Sequence, residues 1–326
     1  MNNLRGINQK LLTAFKNSVL YSLPKNNPKE FLCCIRNNAI GLYYNADRVA
    51  MVSLNNRGEL RCKISSYYLS DHYLTKGKRR SNSEVEVSPE EILHNIEIIK
   101  ANSEERSTPE KKAQQALIHA NNSNPNSDWI CVDIEYRQST KVQKDGKFLG
   151  RFDIIAISKT VPHQVAIIEL KYNNKAIGGD SGVVKHLEDF YLFQQSSYCY
   201  VNLKKEIVEC VQNLIELELL PKDSKISDCP NSFFYQPEFF MICLYDSVRS
   251  TRGTVGGYLF DGLRKGWGTR RVSEKNAMRI LDRKYNDIFD VESEECAIKV
   301  NFLFKKVRNS LSPDINDILN TNEYNQ

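Results

Sequence analysis

Two apolar, β-branched runs on either side of a short polar segment constrain the fold of this chain most strongly. The runs are residues 152–157 and 165–170, and β-branched residues favour strands. The segment between them contains Pro162, which is typical of a turn. The pattern therefore predicts a β-hairpin whose turn is centred near Val161.

Each strand of this hairpin carries an acidic residue at the same distance from the turn. Asp153 and Glu169 each lie eight positions from Val161, so they should face each other across the hairpin. Lys171 follows on the same face as Glu169. Like charges in opposite positions destabilise a sheet, whereas two carboxylates suit Mg²⁺ or Mn²⁺. The alternative is a turn centred elsewhere, with Glu169 and Lys171 merely ending an exposed strand.

The spacing of these residues resembles the signature of the PD-(D/E)XK nuclease superfamily. That signature is an acidic residue, a variable gap, then Glu or Asp, any residue and Lys, which Asp153 and Glu169-Leu170-Lys171 match. Phe152 stands where the name of the superfamily has proline. The resemblance covers residues 107–250 approximately. It implies a restriction-endonuclease-like fold, an α/β core with a mixed central sheet flanked by helices.

The resemblance also implies a Mg²⁺-dependent (or Mn²⁺-dependent) endonuclease that hydrolyses phosphodiester bonds, with DNA as the expected substrate. Restriction, repair and anti-phage defence are the settings it suggests. The implied metal ligands are Asp153, Glu169 and the backbone carbonyl of Leu170. Lys171 is the residue that would orient or help deprotonate the attacking water.

A glutamate on the helix before the sheet often reaches the metal site in this superfamily, and Glu110 is the matching residue. It follows Thr108 and Pro109, and a hydroxyl N-cap with proline in the first turn favours a helix start. Glu110 lies three residues before Ala113, in line with the apolar face of that helix. The resemblance thus adds Glu110 as a catalytic and metal-binding residue. The alternative is a first-turn acid that complements the helix dipole.

Three other residues have both a functional and a structural interpretation. Glu135 lies in an alternating run, residues 129–137, that predicts a half-solvated strand, and it is a further candidate metal ligand. Lys185 is assigned to contact nucleic acid, with a surface pair to Asp189 as the alternative. His186 is a second candidate to contact the scissile nucleic-acid strand, but it shares a helix face with apolar residues, and we interpret it as a packed core histidine.

A basic segment, residues 249–284, is the predicted nucleic-acid contact. It has ten Lys or Arg and three acids, a charge of +7, so the rest of the chain carries −2 of the total +5. Glycines and aromatic residues alternate with these charges, as in surfaces that hold phosphates and stack bases. A solvated basic loop is the alternative. The arginines and lysine assigned to this contact are Arg249, Arg252, Arg264, Lys265, Arg270 and Arg271.

Composition is compatible with a globular protein in a reducing compartment. Hydrophobic residues make up 41% and charged residues 26% of the chain. No apolar run reaches the roughly 18 to 20 residues that span a bilayer, and the nine cysteines include no Cys-x-x-Cys pair. We therefore expect a cytoplasmic protein that does not enter a membrane.

The order of patterns predicts two regions. Residues 1–85 should form a helix over residues 4–20 and then a small antiparallel sheet, for substrate recognition, homodimerisation or binding of a protein partner. Residues 86–326 should form the nuclease-like domain with its basic C-terminal segment, including a helix over residues 203–220 and a strand over residues 239–245. Residues after Ser312 should be loosely ordered. The alternative function is a non-catalytic nucleic-acid-binding or partner-assembly protein that keeps the fold.

Overall fold

The computed structural model is α/β and divides into two compact units. One unit comprises Met1–Gln115 with Lys205–Ser227, and the other comprises Ala116–Lys204 with Asp228–Gln326. None of the helices within the described residues is long and apolar enough to cross a membrane. The structure describes residues 5–69, 83–138, 150–172, 183–227, 229–246, 288–292, 297–307 and 313–320.

The first unit contains the antiparallel sheet that the sequence predicted. Its five strands follow one another in chain order across the sheet, and every neighbouring pair is antiparallel. Asn38 and Asn45 have φ angles of 47° and 52° at the first two connections, the left-handed conformation that tight hairpin turns require. The strands are β1 (Phe31–Arg36), β2 (Ala39–Tyr44), β3 (Asp47–Leu54), β4 (Leu60–Ser65) and β5 (Glu84–Val87).

N-terminal capping residues set where helices of this unit begin. Asn8 accepts a hydrogen bond from the backbone of Leu11 at 2.8 Å, so the first helix begins well after residue 4. Ser88 and Glu91 form a capping box at the start of another helix. The helices are α1 (Gln9–Lys16), α2 (Ser22–Asn26), α3 (Pro89–His94), α4 (Ile96–Arg106) and the start of α5 (Pro109–Ser123).

The division into units differs from the predicted boundary after residue 85. Helix α3 contacts β4 and helix α4 contacts β3, so both helices belong with the first sheet. Residues 205–227 join the same unit from far along the chain. The backbone N–H of Ile7 donates to Asn213 Oδ1 at 3.0 Å, and the Tyr21 hydroxyl donates to the Leu217 carbonyl at 2.6 Å. No local pattern predicts contacts between residues about 200 positions apart.

The second unit is built on a mixed sheet of six strands. Its order is β10-β11-β9-β8-β7-β6. Strands β8, β9 and β11 are parallel to one another, and the remaining pairs are antiparallel. The strands are β6 (Trp129–Tyr136), β7 (Phe152–Ser158), β8 (Val165–Tyr172), β9 (Glu238–Tyr245), β10 (Ile288–Glu292) and β11 (Ala297–Lys306).

The described helices that follow β8 are α6 (Val183–Gln195), α7 (Ser197–Glu216) and α8 (Ile315–Asn320). Helix α7 includes most of the helix predicted over residues 203–220 but begins six residues earlier. Helix α8 corrects the prediction of a loosely ordered tail after Ser312 for residues 313–320, and residues 321–326 lie outside the described residues. Ile315 and Ile318 are both 0% exposed, because they form the apolar side of a helix that contacts β11.

An aromatic cluster packs helix α6 against the sheet. The ring of Phe190 lies 5.5 Å from that of Phe152 and 4.7 Å from that of Phe239. The ring of Phe193 lies 5.3 Å from that of Phe152 in an edge-to-face arrangement. All four side chains are buried. This packing fixes which face of α6 meets the sheet, and His186 lies one turn before Phe190 on that helix.

Candidate functional site

The register of the β7–β8 hairpin confirms the predicted turn centre. The paired residues are symmetric about Val161, from Ile157 opposite Val165 to Ile154 opposite Ile168. Asp153 and Glu169 are the next positions on the two strands. The hairpin therefore brings the two acids together where regular pairing stops.

Asp153 reaches across to the neighbouring strand. Asp153 is half-buried, and its Oδ2 accepts a hydrogen bond from the backbone N–H of Leu170 at 2.9 Å. Burial, together with the negative charge of Glu169, raises the pKa of Asp153 to about 7. Lys171 and His186 oppose this shift. The carboxylates thus lie close enough for each to disfavour the charge on the other.

Glu169 and Lys171 are buried side by side, so the alternative of an exposed strand end is wrong. Their side chains are 0% and 5% exposed, and Lys171 Nζ lies 3.9 Å from Glu169 Oε2. Sustained burial of opposite charges costs desolvation free energy, which close pairing offsets. The motif therefore forms a compact charged cluster inside the sheet rather than a solvated rim.

His186 joins this cluster from helix α6. Its Nδ1 lies 3.1 Å from Glu169 Oε2, and its Nε2 lies 3.1 Å from Lys171 Nζ. An ammonium group can only donate hydrogen bonds, so Nε2 is the acceptor from Lys171. We accordingly assign the ring proton to Nδ1, the nitrogen that faces Glu169. His186 therefore contacts both Glu169 and Lys171.

The sequence interpretation of His186 as a packed core histidine missed these contacts. The helix face that carries His186 also carries Val183, Phe190 and Phe193, all of them buried. That face was expected to pack against something apolar. One signal was available in the sequence. The strand that carries Glu169 and Lys171 belongs to the sheet on which this helix was expected to pack, so a polar residue on the buried helix face could contact them.

The functional roles predicted for Lys185 and Glu110 both stay predictions, although the structure shows where each residue lies. Lys185 forms an ion pair with Asp189 one turn along α6, as the alternative interpretation proposed, and its contact with nucleic acid stays a prediction. Thr108 Oγ1 accepts from the backbone of Lys111 at 3.3 Å, in agreement with the predicted start of α5. Glu110 lies in the first turn of α5, in the first unit, and its metal role also stays a prediction.

Strand β6 is buried rather than half-solvated, which corrects the expectation for that strand. A β-bulge between Cys131 and Asp133 shifts the alternation, and Asp133 is only 4% exposed. Glu135 has a φ angle of 50°, and its Oε1 lies 3.3 Å from Arg151 Nη1. Glu135 is therefore held by an arginine at the end of the strand. The bulge was not detectable from the apolar pattern alone.

The predicted basic segment, residues 249–284, lies outside the described residues, with all of the arginines and the lysine assigned there to nucleic acid.

The residues at the hairpin end fit a hard divalent cation. Asp153 and Glu169 provide carboxylate oxygens, and Mg²⁺ commonly uses one or two carboxylates together with waters and phosphate. Burial, and after it the charge of Glu169, disfavours the charged form of Asp153, and a bound cation would favour that form. Among the residues that the structure describes, no group of three or more His, Cys, Asp or Glu could hold a metal ion. The fit therefore rests on two carboxylates.

Comparisons with protein-family models, with curated proteins and with solved structures returned no match.

Proposed function

We propose that the chain is a metal-dependent nuclease whose second unit has a restriction-endonuclease-like core. The observation that carries this proposal is the end of the β7–β8 hairpin, where Asp153 and Glu169 meet and Lys171 is buried 3.9 Å from the Glu169 carboxylate. The mixed sheet with helices supports the same fold. A buried motif of this kind has a cost in desolvation that a purely structural role does not explain.

The residues would divide the work of phosphodiester hydrolysis. Asp153, Glu169 and the carbonyl of Leu170 would hold the cation, and the Leu170 N–H fixes the Asp153 carboxylate at 2.9 Å. A bound Mg²⁺ or Mn²⁺ would lower the pKa of a water and stabilise the charge that develops on the phosphate. Lys171 would orient the attacking water, and it would offer its positive charge to the phosphoryl oxygens. His186 would hold Lys171 in place through its Nε2.

The direct test is incubation with single-stranded and double-stranded DNA and RNA, in Mg²⁺, in Mn²⁺ and in chelator. We expect cleavage with either metal and none in chelator, because Asp153 and Glu169 act only through the cation. Asp128→Asn is the matched control for an Asp153→Asn variant in the same assay, since Asp128 is an exposed acid beside the same sheet. It should cleave like the wild type. Failure to cleave any of the four substrates would favour a non-catalytic nucleic-acid-binding protein.

His186→Ala should lower kcat by about ten- to a hundredfold with little change in KM, the size of effect seen when a supporting contact of a metal site is lost. Alanine removes the acceptor that positions Lys171 but no group that touches the substrate. His186→Gln should recover part of kcat, because the glutamine carbonyl can accept from Lys171 Nζ. Steady-state kinetics on one oligonucleotide, with melting temperatures for each variant, make the measurement.

His119→Gln is the control for loss of a helix histidine, since His119 lies on α5 and not on the helix that meets Lys171. Equal activity of the Ala and Gln variants, or a rise in KM without a fall in kcat, would count against a positioning role for His186.

A further inference from the structure

Exposed apolar side chains are concentrated on one part of the second unit. Of the seven large apolar residues that are exposed in the described part of the chain, five lie on three segments of this unit, and Tyr235 reaches 89% exposure. Scattered exposed apolar residues are ordinary, but a cluster indicates a binding surface. We call this cluster the aromatic surface, and it comprises Val161, Tyr198, Val201, Phe234 and Tyr235.

Direct contacts join the three segments. The backbone N–H of His163 donates to the Ser232 carbonyl at 2.6 Å, and the N–H of Phe234 donates to the His163 carbonyl at 3.0 Å. The Tyr200 hydroxyl donates to the Phe234 carbonyl at 3.0 Å, which ties the first turn of α7 to the same place. The hairpin turn, the start of α7 and the segment before β9 therefore form one continuous surface.

Positive charge lies next to the aromatic surface, beside the less exposed rings of Tyr200 and Phe233. Lys204 Nζ lies 4.8 Å from the centre of the Tyr200 ring and 5.9 Å from that of Phe233. Lys159, at the hairpin turn, donates to the Pro125 carbonyl. Neither lysine forms an ion pair with an acidic side chain in the described ranges, so both charges are left for an anionic partner. Exposed aromatic rings beside uncompensated lysines match the way proteins hold unpaired bases and their phosphates.

We propose that the aromatic surface binds single-stranded nucleic acid, with bases stacked on Tyr235 and Tyr198 and phosphates near Lys204. The inference rests on the proposed function for the choice of nucleic acid as the partner. Single strands are favoured because stacking on a side chain requires the base faces that a duplex conceals. The surface thus names the class of substrate that the hydrolytic site receives.

The hairpin sets the distance between this surface and the acidic cluster. Asp153 and the turn lie at opposite ends of β7, and the five residue-to-residue steps from Asp153 to Ser158 span roughly 17 Å at the rise of a strand. The aromatic surface would therefore contact a flanking part of the nucleic-acid strand, several nucleotides from the bond that is cut. Its contribution should be absent for oligonucleotides too short to reach it.

The test is fluorescence anisotropy in chelator with a labelled thymidine 20-mer, the uridine 20-mer and a DNA duplex of equal length, at low salt. We expect Tyr235→Ala to weaken binding of the single strands by about tenfold, the size of one lost stacking contact, and to leave duplex binding unchanged. Tyr235→Phe should bind like the wild type because it keeps the ring. Val19→Ala, an exposed apolar residue of the first unit, is the matched control.

The outcomes separate this proposal from the nuclease proposal. Suppose that Tyr235→Ala loses single-strand affinity and that the wild-type protein cleaves nothing with either metal. That result would support the aromatic surface and overturn the hydrolytic function. Unchanged affinity in both Tyr235→Ala and Tyr198→Ala, in a protein that does cleave, would overturn the surface and point to a protein partner there. An equal loss for duplex and single strands would also overturn it.

Discussion

Asp153→Asn is expected to lower metal-dependent cleavage by about 10³-fold or more while the protein stays folded. Asparagine has the shape of aspartate, and its side-chain oxygen can still accept the hydrogen bond that Leu170 N–H donates at 2.9 Å. It lacks the negative charge that would hold the proposed cation. The substitution therefore separates the charge of Asp153 from its structural contact. Initial rates in Mg²⁺ and in Mn²⁺ measure the effect.

The melting temperature gives an independent measurement on the same variant. Because burial and the charge of Glu169 both disfavour the charged form of Asp153, Asp153→Asn should melt at the same temperature as the metal-free wild type or higher. Asp153→Ala should be less stable than Asp153→Asn, since it also loses the bond to Leu170. Full cleavage activity in Asp153→Asn with Mg²⁺ present would refute the assignment of Asp153 as a metal ligand.

The hairpin could be predicted from the sequence because its determinants are local. Two β-branched runs, a proline between them and acids at equal distances define the register, and the pairing of Ile154 with Ile168 confirms it. The same holds for the antiparallel sheet of the first unit, where asparagines mark the turns. In both cases the interacting residues lie close in the chain, so their pattern contains the pairing.

Other features depend on contacts that no local pattern contains. Strands β10 and β11 were not predicted, and β11 lies beside β9 although more than fifty residues separate them along the chain. Residues 205–227 join a unit whose other residues end at Gln115. The contacts of His186 depend on which face of α6 meets which strand. Side chains brought together by tertiary packing are therefore the part of the candidate site that the sequence did not define.

Lys171→Met should abolish cleavage and also lower the free energy of unfolding by about 3–5 kcal/mol. The Lys171 side chain is 5% exposed, and its ammonium lies 3.9 Å from the carboxylate of the fully buried Glu169 side chain. Methionine retains most of the apolar side chain, so the loss is electrostatic. It leaves the Glu169 charge buried without its nearest ammonium. Lys159→Met, at the exposed hairpin turn, should have little effect on stability.

A double-mutant cycle distinguishes this charge effect from general damage to the core. Glu169→Gln combined with Lys171→Met removes both charges, so it should recover most of the lost stability while cleavage stays absent. Denaturant unfolding followed by the fluorescence of Trp129, in a Trp267→Phe background, reports on the second unit, because Trp129 is buried in β6 against Phe240. The loss of unfolding free energy in the double variant could instead equal the sum of the losses in Glu169→Gln and Lys171→Met. Glu169 and Lys171 would then not be energetically coupled. Stability would then reside in the packing of β8, and the buried motif would have to be explained by catalysis alone.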